Sequence, residues 1–290
     1  MTDDLATSFE AHRARLRGTA YRMLGSLAEA DDVVQDAWLR VSRADVSTVD
    51  DLGAWLTTVV ARLCLDRLRA RRARREAPLE VIVPDPLISS ADTPDPEQEA
   101  LLADSVGLAM LIVLDALSPA ERLAFILHDT LGLPFEQIGP IVGRSAEATR
   151  QLASRARRRV RQARPATDVP LRRQWELVDA FLAAARDGDL DRVIKVLDPD
   201  VVARADVGPR PSALGPSRVY RGVAEVARQA MSFRSLAPGA RRVLVNGGAG
   251  LFVTFGGRPY AVLGMAFGPR GITEIDILLD PERLARLGLT

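Results

Sequence analysis

The sequence contains a single cysteine, Cys64, and only two histidines among its 290 residues. One cysteine excludes an intramolecular disulfide and a cysteine-rich metal site, and it fits a protein of the reducing cytosol. The histidines, His12 and His128, are far apart in the sequence, which argues against a histidine metal site or a catalytic triad. We therefore expect neither a metal nor a cofactor.

Long apolar runs and a strong net charge are also missing. No stretch is apolar enough to span a bilayer, and the N-terminus lacks the apolar core of a signal peptide, so we expect a cytoplasmic protein without membrane contact. The formal net charge is +1, which is not typical of a chain that binds nucleic acid along its whole length. The arginines are instead concentrated in segments 67–75 and 150–164, and such local clusters indicate nucleic-acid binding.

Residues 134–164 have the pattern of a helix-turn-helix. Apolar residues at helical spacing precede Gly143, which permits a tight turn, and the hydroxyl of Ser145 can cap the next helix. The alternative is an ordinary helical hairpin with a solvated basic face. The arginine run favours DNA, because phosphate neutralisation dominates non-specific binding. The apolar stripe of the second helix is predicted to be Ala148, Leu152, Ala156 and Val160.

The residues before 76 predict three amphipathic helices. The first two occupy about 9–44 and are separated at Gly25. The second buries a stripe that includes Val33, and acidic residues near its start suit the helix dipole. By periodicity alone this is an ordinary soluble helix. The third helix, 52–75, ends in a basic run that is opposed only by Asp66.

Proline-rich segments at 77–97 and 165–170 are predicted to be extended linkers, because proline denies hydrogen bonds to helices and sheets. Between them, 98–164 is helical, with a helix start at Ser118. After the second linker, two helices precede short strands that are separated by glycine-rich turns, and one more helix interrupts the strands. This predicts an α+β domain over 171–290, with helices packed on one face of a curved antiparallel meander.

Three segments carry a family resemblance: DDVVQDAWLRV, then AWLTTVVARLCLDRLRARRARRE, then the stretch from Ala116 to Arg161. They resemble the extracytoplasmic-function group of bacterial sigma factors, over roughly the first 165 residues. The resemblance implies two all-α domains. Residues 1–76 would be sigma domain two, which binds core RNA polymerase and the promoter −10 element, and 98–164 would be domain four, which reads the −35 element. The implied partners are promoter DNA and core polymerase, at its β′ clamp helices and β flap.

The same resemblance assigns site residues by position. The set implied to dock on the polymerase is Asp31, Asp32, Gln35, Asp36 and Trp38. The set implied to face the −10 element is Trp55, Arg62, Asp66, Arg67, Arg69 and Arg71, with Arg62 standing where asparagine is common. The set implied to read the −35 element is Arg144, Ser145, Glu147, Arg150, Gln151, Ser154 and Arg157.

Residues 171–287 are similar to the SnoaL-like, nuclear-transport-factor-two-like cone, and a sigma factor with this tail resembles the SigJ-type subgroup. Where that subgroup often has Trp-Leu-Pro in the linker, this chain has Ile82-Val83-Pro84. Where it often has Asp-Gly-Gly-Gly-Lys, this chain has Asp206-Val207-Gly208-Pro209-Arg210. The final motif, Asp280-Pro281-Glu282-Arg283-Leu284, keeps the form expected of the subgroup. The residues implied to regulate are Asp206, Asp280, Pro281, Glu282, Arg283 and Leu284.

We interpret the chain as a transcription initiation factor that acts by binding, with a tail that regulates it in cis. One alternative is an enzyme or small-molecule sensor in the tail, because such cones can hold an acid/base group in an apolar pocket. Its candidates are Asp206, Asp179, Glu274, Tyr220 and Tyr260. The tail has no histidine, and a domain that packs or binds without catalysis is favoured. The other alternative is a plain DNA-binding repressor, against which the acidic residues 31–36 argue.

Overall fold

The computed structural model describes residues 2–44, 49–74, 82–89, 108–163, 169–209 and 214–288. These residues form two compact units. The first contains the described residues before 75 together with 113–163. The second contains 82–89, 108–112 and the described residues from 169 onward. No helix in these ranges is long and apolar enough to cross a membrane.

The first unit is entirely helical, as its sequence predicts. Its helices begin and end at the expected signals: Gly25 has a φ of 70°, and the side chain of Ser26 accepts a hydrogen bond from the Glu29 amide. Ser118 and Glu121 form a reciprocal capping box. The helices are α1 (Thr2–Leu24), α2 (Leu27–Val41), α3 (Leu52–Arg74), the last three residues of α4 (Leu108–Asp115), α5 (Pro119–Phe125), α6 (Phe135–Val142) and α7 (Ala146–Ala163). The first five residues of α4 belong to the second unit.

The helix-turn-helix consists of α6 and α7. Gly143 adopts a left-handed conformation with a φ of 72°, and the Ser145 hydroxyl accepts a hydrogen bond from the Ala148 amide at 3.2 Å. The buried stripe of α7 is Thr149, Ala153, Ala156 and Val160, so the predicted positions Ala148 and Leu152 were one residue early. A π-helical turn (Ile126–Thr130) follows α5 where the sequence predicted a continuous α-helix.

Within the first unit, α3 packs against α5 and α6, so the N-terminal helices and the helix-turn-helix share one core. A buried guanidinium lies at this junction, because the Arg122 side chain is only 2 % exposed. Arg122 donates to Asp115 Oδ1 at 2.8 Å and to the backbone carbonyl oxygen of Arg22 at 3.2 Å. Burial lowers the pKa of Arg122, and the Asp115 carboxylate opposes this effect.

The second unit places helices and a 3₁₀ turn (Arg234–Gly239) around one mixed sheet. Its helices are α8 (Leu171–Asp187), α9 (Leu190–Val196), α10 (Val223–Ser232) and α11 (Pro281–Arg286). Its strands are β1 (Ile88–Ser89), β2 (Leu197–Asp206), β3 (Arg218–Arg221), β4 (Ala240–Val245), β5 (Gly248–Phe255), β6 (Arg258–Gly268) and β7 (Gly271–Leu278). The sheet order is β1-β4-β5-β6-β7-β2-β3.

The sheet differs from the predicted antiparallel meander in three ways. Strands β4 to β7 do form a meander, but β2 pairs with β7 in parallel. Strand β3 was not predicted. Strand β1 lies in the proline-rich segment 77–97, which was expected to form no sheet hydrogen bonds, yet Ile88 and Ser89 pair with β4. Pairing is possible there because neither residue is proline, so both keep the backbone N–H that a ladder requires.

Each face of the sheet carries its own core. On the inner face, α8, α9 and α10 pack against the sheet through a cluster that includes Phe181, Val193, Val226, Leu251 and Ile275. On the outer face, a second cluster joins strand residues such as Phe252 to Val83, Ile88, Leu108 and Leu284. Because side chains alternate along a strand, neighbouring residues of β5 serve opposite clusters.

A buried ion-pair group lies on strands β2 and β7. Arg204 donates to Glu274 Oε2 at 2.8 Å and to Asp276 Oδ1 at 3.0 Å. Burial raises the pKa of Asp276 to about 7, with Arg204 opposing the rise and Glu274 adding to it. The sequence did not single out Asp276, since an alternating strand gives no sign that a carboxylate is buried.

The raised pKa of Asp276 predicts a pH-dependent stability. An unfolded aspartate has a pKa of about 3.9, so between about pH 4 and 7 the folded state holds a proton that the unfolded state has lost. The free energy of unfolding should therefore fall as pH rises through this window. Asp276→Asn should remove this dependence. As pH rises through this window, the free energy of unfolding of the variant should therefore increase relative to that of the wild type, by up to about 1.4 kcal/mol per pH unit.

Chemical unfolding at several pH values measures this difference. The control is Asp179→Asn, because Asp179 forms an exposed ion pair with Arg242. Parallel pH profiles for the wild type and Asp276→Asn would contradict the prediction.

Candidate nucleic-acid interface and linker-binding site

The predicted −35 residues share the outer surface at the start of α7. The turn and the first two turns of the helix place Arg144, Ser145, Glu147, Arg150, Gln151 and Ser154 in exposed positions, and Arg157 is half-buried. Arg150 forms an ion pair with Glu147 at 2.7 Å, and its guanidinium lies 5.4 Å from the centre of the Phe135 ring. Arg150 is therefore held in place on the surface where a recognition helix contacts base edges.

Other arginines of α7 hold the helix-turn-helix together. Arg155 and Arg159 donate to the buried Glu121 carboxylate at 3.3 and 3.1 Å, and Arg157 donates to Asp129 at 2.6 Å. Although burial raises the pKa of Glu121, hydrogen bonds from Ser118 and Arg155 and the charge of Arg159 hold it below its usual value. The basic run therefore serves packing as well as surface charge.

The predicted −10 residues divide between two faces of α3. Trp55 is half-buried, and Arg62, Asp66 and Arg69 are exposed on the face away from the core. Arg67 and Arg71 lie on the side that meets α2. Arg71 bonds to Glu29 and, at 2.9 Å, to the carbonyl oxygen of Leu24.

The predicted polymerase-docking residues lie on α2, partly in ion pairs. Asp36 accepts from Arg67 at 2.7 Å, and Asp32 lies 3.6 Å from the same guanidinium. Asp31 accepts from Arg17 at 2.5 Å. Gln35 is exposed, and Trp38 is half-buried against Phe9, with 5.1 Å between ring centres. The acidic face of α2 therefore also secures α1 and α3.

The predicted regulatory residues form one cluster with the segment 82–89, in the second unit. Arg283 donates to Asp206 Oδ2 at 2.8 Å, to Asp85 Oδ1 at 2.6 Å and to the Val83 carbonyl oxygen at 2.5 Å. Asp206 also accepts from the Val83 amide at 3.0 Å. One guanidinium thus joins the end of β2, the start of α11 and the linker.

The two motifs of the tail also meet each other directly. Asp280 caps α11 by accepting from the amides of Glu282 and Arg283. A Cβ at Gly208 would lie 2.4 Å from Asp280 Oδ2, so only glycine allows this approach, and the φ of 81° there also favours glycine. Leu284 packs in the outer-face cluster with Val83, while Pro281 and Glu282 are exposed.

A further contact to the linker was not predicted. Asn246, which begins the glycine-containing turn between β4 and β5, has a φ of 49°. Its side-chain oxygen accepts a hydrogen bond from the Leu87 backbone amide at 3.0 Å, and its backbone amide donates to the Leu87 carbonyl oxygen at 2.7 Å. An Asn-Gly pair signals a hairpin turn, and nothing in that signal reveals the second role.

The acidic residues considered for catalysis are engaged elsewhere. Asp206 is held in the linker cluster, Glu274 pairs with Arg204, and Asp179 pairs with Arg242 on the surface. Tyr220 packs partly buried between two apolar clusters. Tyr260 lines an apolar cavity on the inner face of the sheet. The structure therefore does not bring these groups together into one acid/base site.

Family models match both parts of the helical unit. The Sigma-70 region 2 model matches residues 8–74, and the Sigma-70 region 4 model matches residues 113–162. The sequence is 39 % identical over 254 residues to the ECF RNA polymerase sigma factor SigJ of Mycobacterium tuberculosis, covering 85 % of this chain and 80 % of that protein. The chain belongs to the ECF RNA polymerase sigma factors.

Two further comparisons agree with this assignment. The probable ECF sigma factor SigI of Mycobacterium tuberculosis is 40 % identical over 217 residues, covering 75 % of each chain. The crystal structure of SigJ from the same organism matches 98 % of this chain and all of its own, with a TM-score of 0.76 and 33 % identity. This ECF sigma factor thus directs RNA polymerase to promoters and initiates transcription, and it carries the predicted α+β cone after its two sigma domains.

The position of Arg150 predicts a contribution to promoter reading. We expect Arg150→Ala to weaken binding of the sigma factor–polymerase holoenzyme to its promoter by about 1–3 kcal/mol and to relax the sequence preference. Fluorescence anisotropy with promoter DNA and with scrambled DNA measures both effects. Arg172→Ala is the control, since Arg172 is an exposed arginine outside the helix-turn-helix. An equal loss on both DNAs would make Arg150 a phosphate contact.

The linker cluster predicts a large effect at Arg283. Arg283→Met keeps the side-chain length but leaves the buried Asp206 carboxylate without its guanidinium, so unfolding in urea should become easier by about 3 kcal/mol. Arg286→Met on the same helix changes an exposed arginine and should shift stability by less than about 0.5 kcal/mol. Equal stability of the two variants would contradict the assigned role.

Proposed function

We propose that the cone regulates this sigma factor in cis, by holding the linker between domains two and four. The observation that carries the proposal is the docking of segment 82–89 on the cone, through Arg283, Asp206 and Asn246. A segment that connects the two DNA-reading domains is thereby bound by a third domain. Any event that releases or retains segment 82–89 changes how far apart domains two and four can move.

The short stretch of chain between domain two and the docked segment 82–89 makes this control effective. Eight peptide steps join residue 74 to residue 82, and at most about 3.5 Å per step gives a reach of about 28 Å. Two promoter elements about 25 base pairs apart are separated by about 85 Å along B-DNA, at about 3.4 Å per pair. A docked linker therefore favours domains that stay close, and a released linker favours domains that spread over both elements.

The close arrangement of the two domains has its own contact. In the first unit α3 packs against α5 and α6, and the buried Arg122 bonds across this junction to the Arg22 carbonyl oxygen. Domains packed in this way must separate before each can occupy its own promoter element. The cone can shift this balance only through a contact that differs between the two states, and the docked linker supplies one.

We base the individual contacts with polymerase and with promoter DNA on the family resemblance. We assign the exposed acidic face of α2 to the polymerase β′ clamp helices, domain four to the β flap, the outer face of α3 to the −10 element and the start of α7 to the −35 element. The cone acts here without catalysis, since its acids are held in ion pairs and caps. The protein would act in the cytoplasm, with the polymerase and chromosome. A plain repressor would bind promoter DNA without core polymerase, which a binding assay distinguishes.

The polymerase assignment is tested by charge reversal with compensation. Asp32→Lys with Asp36→Lys should weaken core-polymerase binding, measured by surface plasmon resonance, at least tenfold. Because both carboxylates lie near Arg67, adding Arg67→Glu restores the internal ion pairs without restoring the acidic surface. We expect binding to stay weak in the triple variant. If the third change restores binding, the two aspartates act only through the fold.

The regulatory proposal is tested by single-round transcription with core polymerase. Ending the chain after Arg164 should change transcript yield, in either direction, relative to the full chain. Full-length Arg283→Met should change it in the same direction, because that variant releases the linker and keeps the cone. Asp206→Asn should change no small-molecule chemistry. Transcription by both variants at the level of the full chain, together with turnover of a small molecule by the intact protein, would favour the enzyme hypothesis.

A further inference from the structure

A π-helical turn (Ile126–Thr130) lies between α5 and α6, where the sequence predicted a continuous α-helix. Such a turn closes hydrogen bonds between residues i and i+5, so it holds one residue more than an α-helical turn and redirects its side chains. Turns of this kind are frequent at functional sites. We propose that His128 in this turn is a positioning residue for Arg150, and that it acts through the ring of Phe135. Its effect on promoter reading rests on the proposed −35 role of α7.

His128 fixes the chain that leads into α6. Its Nδ1 lies 2.9 Å from the carbonyl oxygen of Leu133. Because a carbonyl oxygen can only accept, Nδ1 carries the hydrogen of this bond. The Leu133 amide donates to the Leu127 carbonyl oxygen, also at 2.9 Å. Both backbone polar groups of Leu133 are therefore bonded to the π-helical turn, two residues before Phe135.

The imidazole of His128 also packs directly on the Phe135 ring. The two ring centres are 3.9 Å apart, and the ring planes make an angle of 26°. Phe135 is only 8 % exposed, so close packing restricts the movement of its ring. The Arg150 guanidinium lies 5.4 Å from the centre of the same ring, which is within the range of a cation–π contact. One buried ring thus contacts both His128 and the exposed arginine.

The ion pair with Glu147 is too exposed to hold Arg150 by itself. The side chains of Arg150 and Glu147 are 55 % and 66 % exposed, and ion pairs between such groups contribute little. An arginine reads a base edge best through two hydrogen bonds at once, which requires a defined direction of its guanidinium. A side chain that is ordered before binding also loses less conformational entropy on binding. Contact with a fixed ring supplies both conditions.

A second contact fixes the π-helical turn relative to α7. Asp129, which follows His128, accepts a hydrogen bond from Arg157 at 2.6 Å. Arg150 and Arg157 are about two helical turns apart on α7. The π-helical turn therefore bonds to α7 at Arg157 and supports Arg150 through Phe135, so the stacked rings keep a fixed position relative to the helix.

The positioning is tested first in the free full chain. His128→Ala removes the ring and the hydrogen bond, so the order parameter of the Arg150 Nε–H group should fall. NMR relaxation measures this, with the signal assigned by its loss in Arg150→Ala. Thr130→Ala, at an exposed position of the same turn, should leave the order parameter unchanged. If His128→Ala does not fold by circular dichroism, His128→Asn removes the ring and keeps a donor. An unchanged order parameter in a folded variant would overturn the proposal.

The consequence for promoter reading is tested by a double-mutant cycle. Promoter preference is the ratio of holoenzyme affinities for promoter and scrambled DNA, measured by fluorescence anisotropy. His128→Ala should lower this ratio about threefold or more, and it should lower it no further when Arg150→Ala is already present. A loss that adds to that of Arg150→Ala, or falls equally on both DNAs, would overturn the proposal.

The same cycle separates this inference from the −35 assignment. If Arg150→Ala alone leaves the promoter preference unchanged, Arg150 is not a reader of the −35 element, and the −35 assignment fails. The order parameter of Arg150 in the free chain still decides whether His128 positions it.

Discussion

The arrangement of the second unit depends on one guanidinium. Arg283 joins Asp206 at the end of β2, Asp85 in the linker and the Val83 carbonyl oxygen. Two carboxylates and one arginine, all largely buried, stabilise each other only while they stay together, because any one of them alone would be an uncompensated charge in an apolar setting. The linker, strand β2 and helix α11 are therefore held together, and the apolar side chains on the outer face of the sheet pack around them.

A second arginine has the corresponding role in the helical unit. Arg122 is buried where the N-terminal helices meet the helix-turn-helix, and it bonds to Asp115 and to the Arg22 carbonyl oxygen. Burying a guanidinium is costly, and its contacts offset much of that cost without making the junction strongly favourable. Under the proposed function, this junction opens when polymerase and promoter bind the separated domains.

Much of this fold could be predicted from the sequence. Gly25, Ser118, Gly143 and Ser145 each act by local backbone chemistry, so the helices begin and end where these signals predicted. The outward-facing residues of α7 follow from the same periodicity. The contacts of Arg67 with α2, of Asn246 with Leu87 and of β1 with β4 could not be predicted. They join residues that are far apart in the chain, and no local pattern records which distant groups will meet. The burial of Asp276 was missed for the same reason.

We infer that the cone holds the linker in the free protein and releases it when the two sigma domains occupy a promoter. Hydrogen exchange at the amides of Val83, Leu87 and Ser89 tests this directly, because Val83 donates to Asp206, Leu87 donates to Asn246 and Ser89 pairs with Leu244 of β4. We expect slow exchange in the free chain and clearly faster exchange in the promoter-bound holoenzyme, while strands β5 and β6 keep their protection in both. Equal protection of the three linker amides in the two states would contradict it.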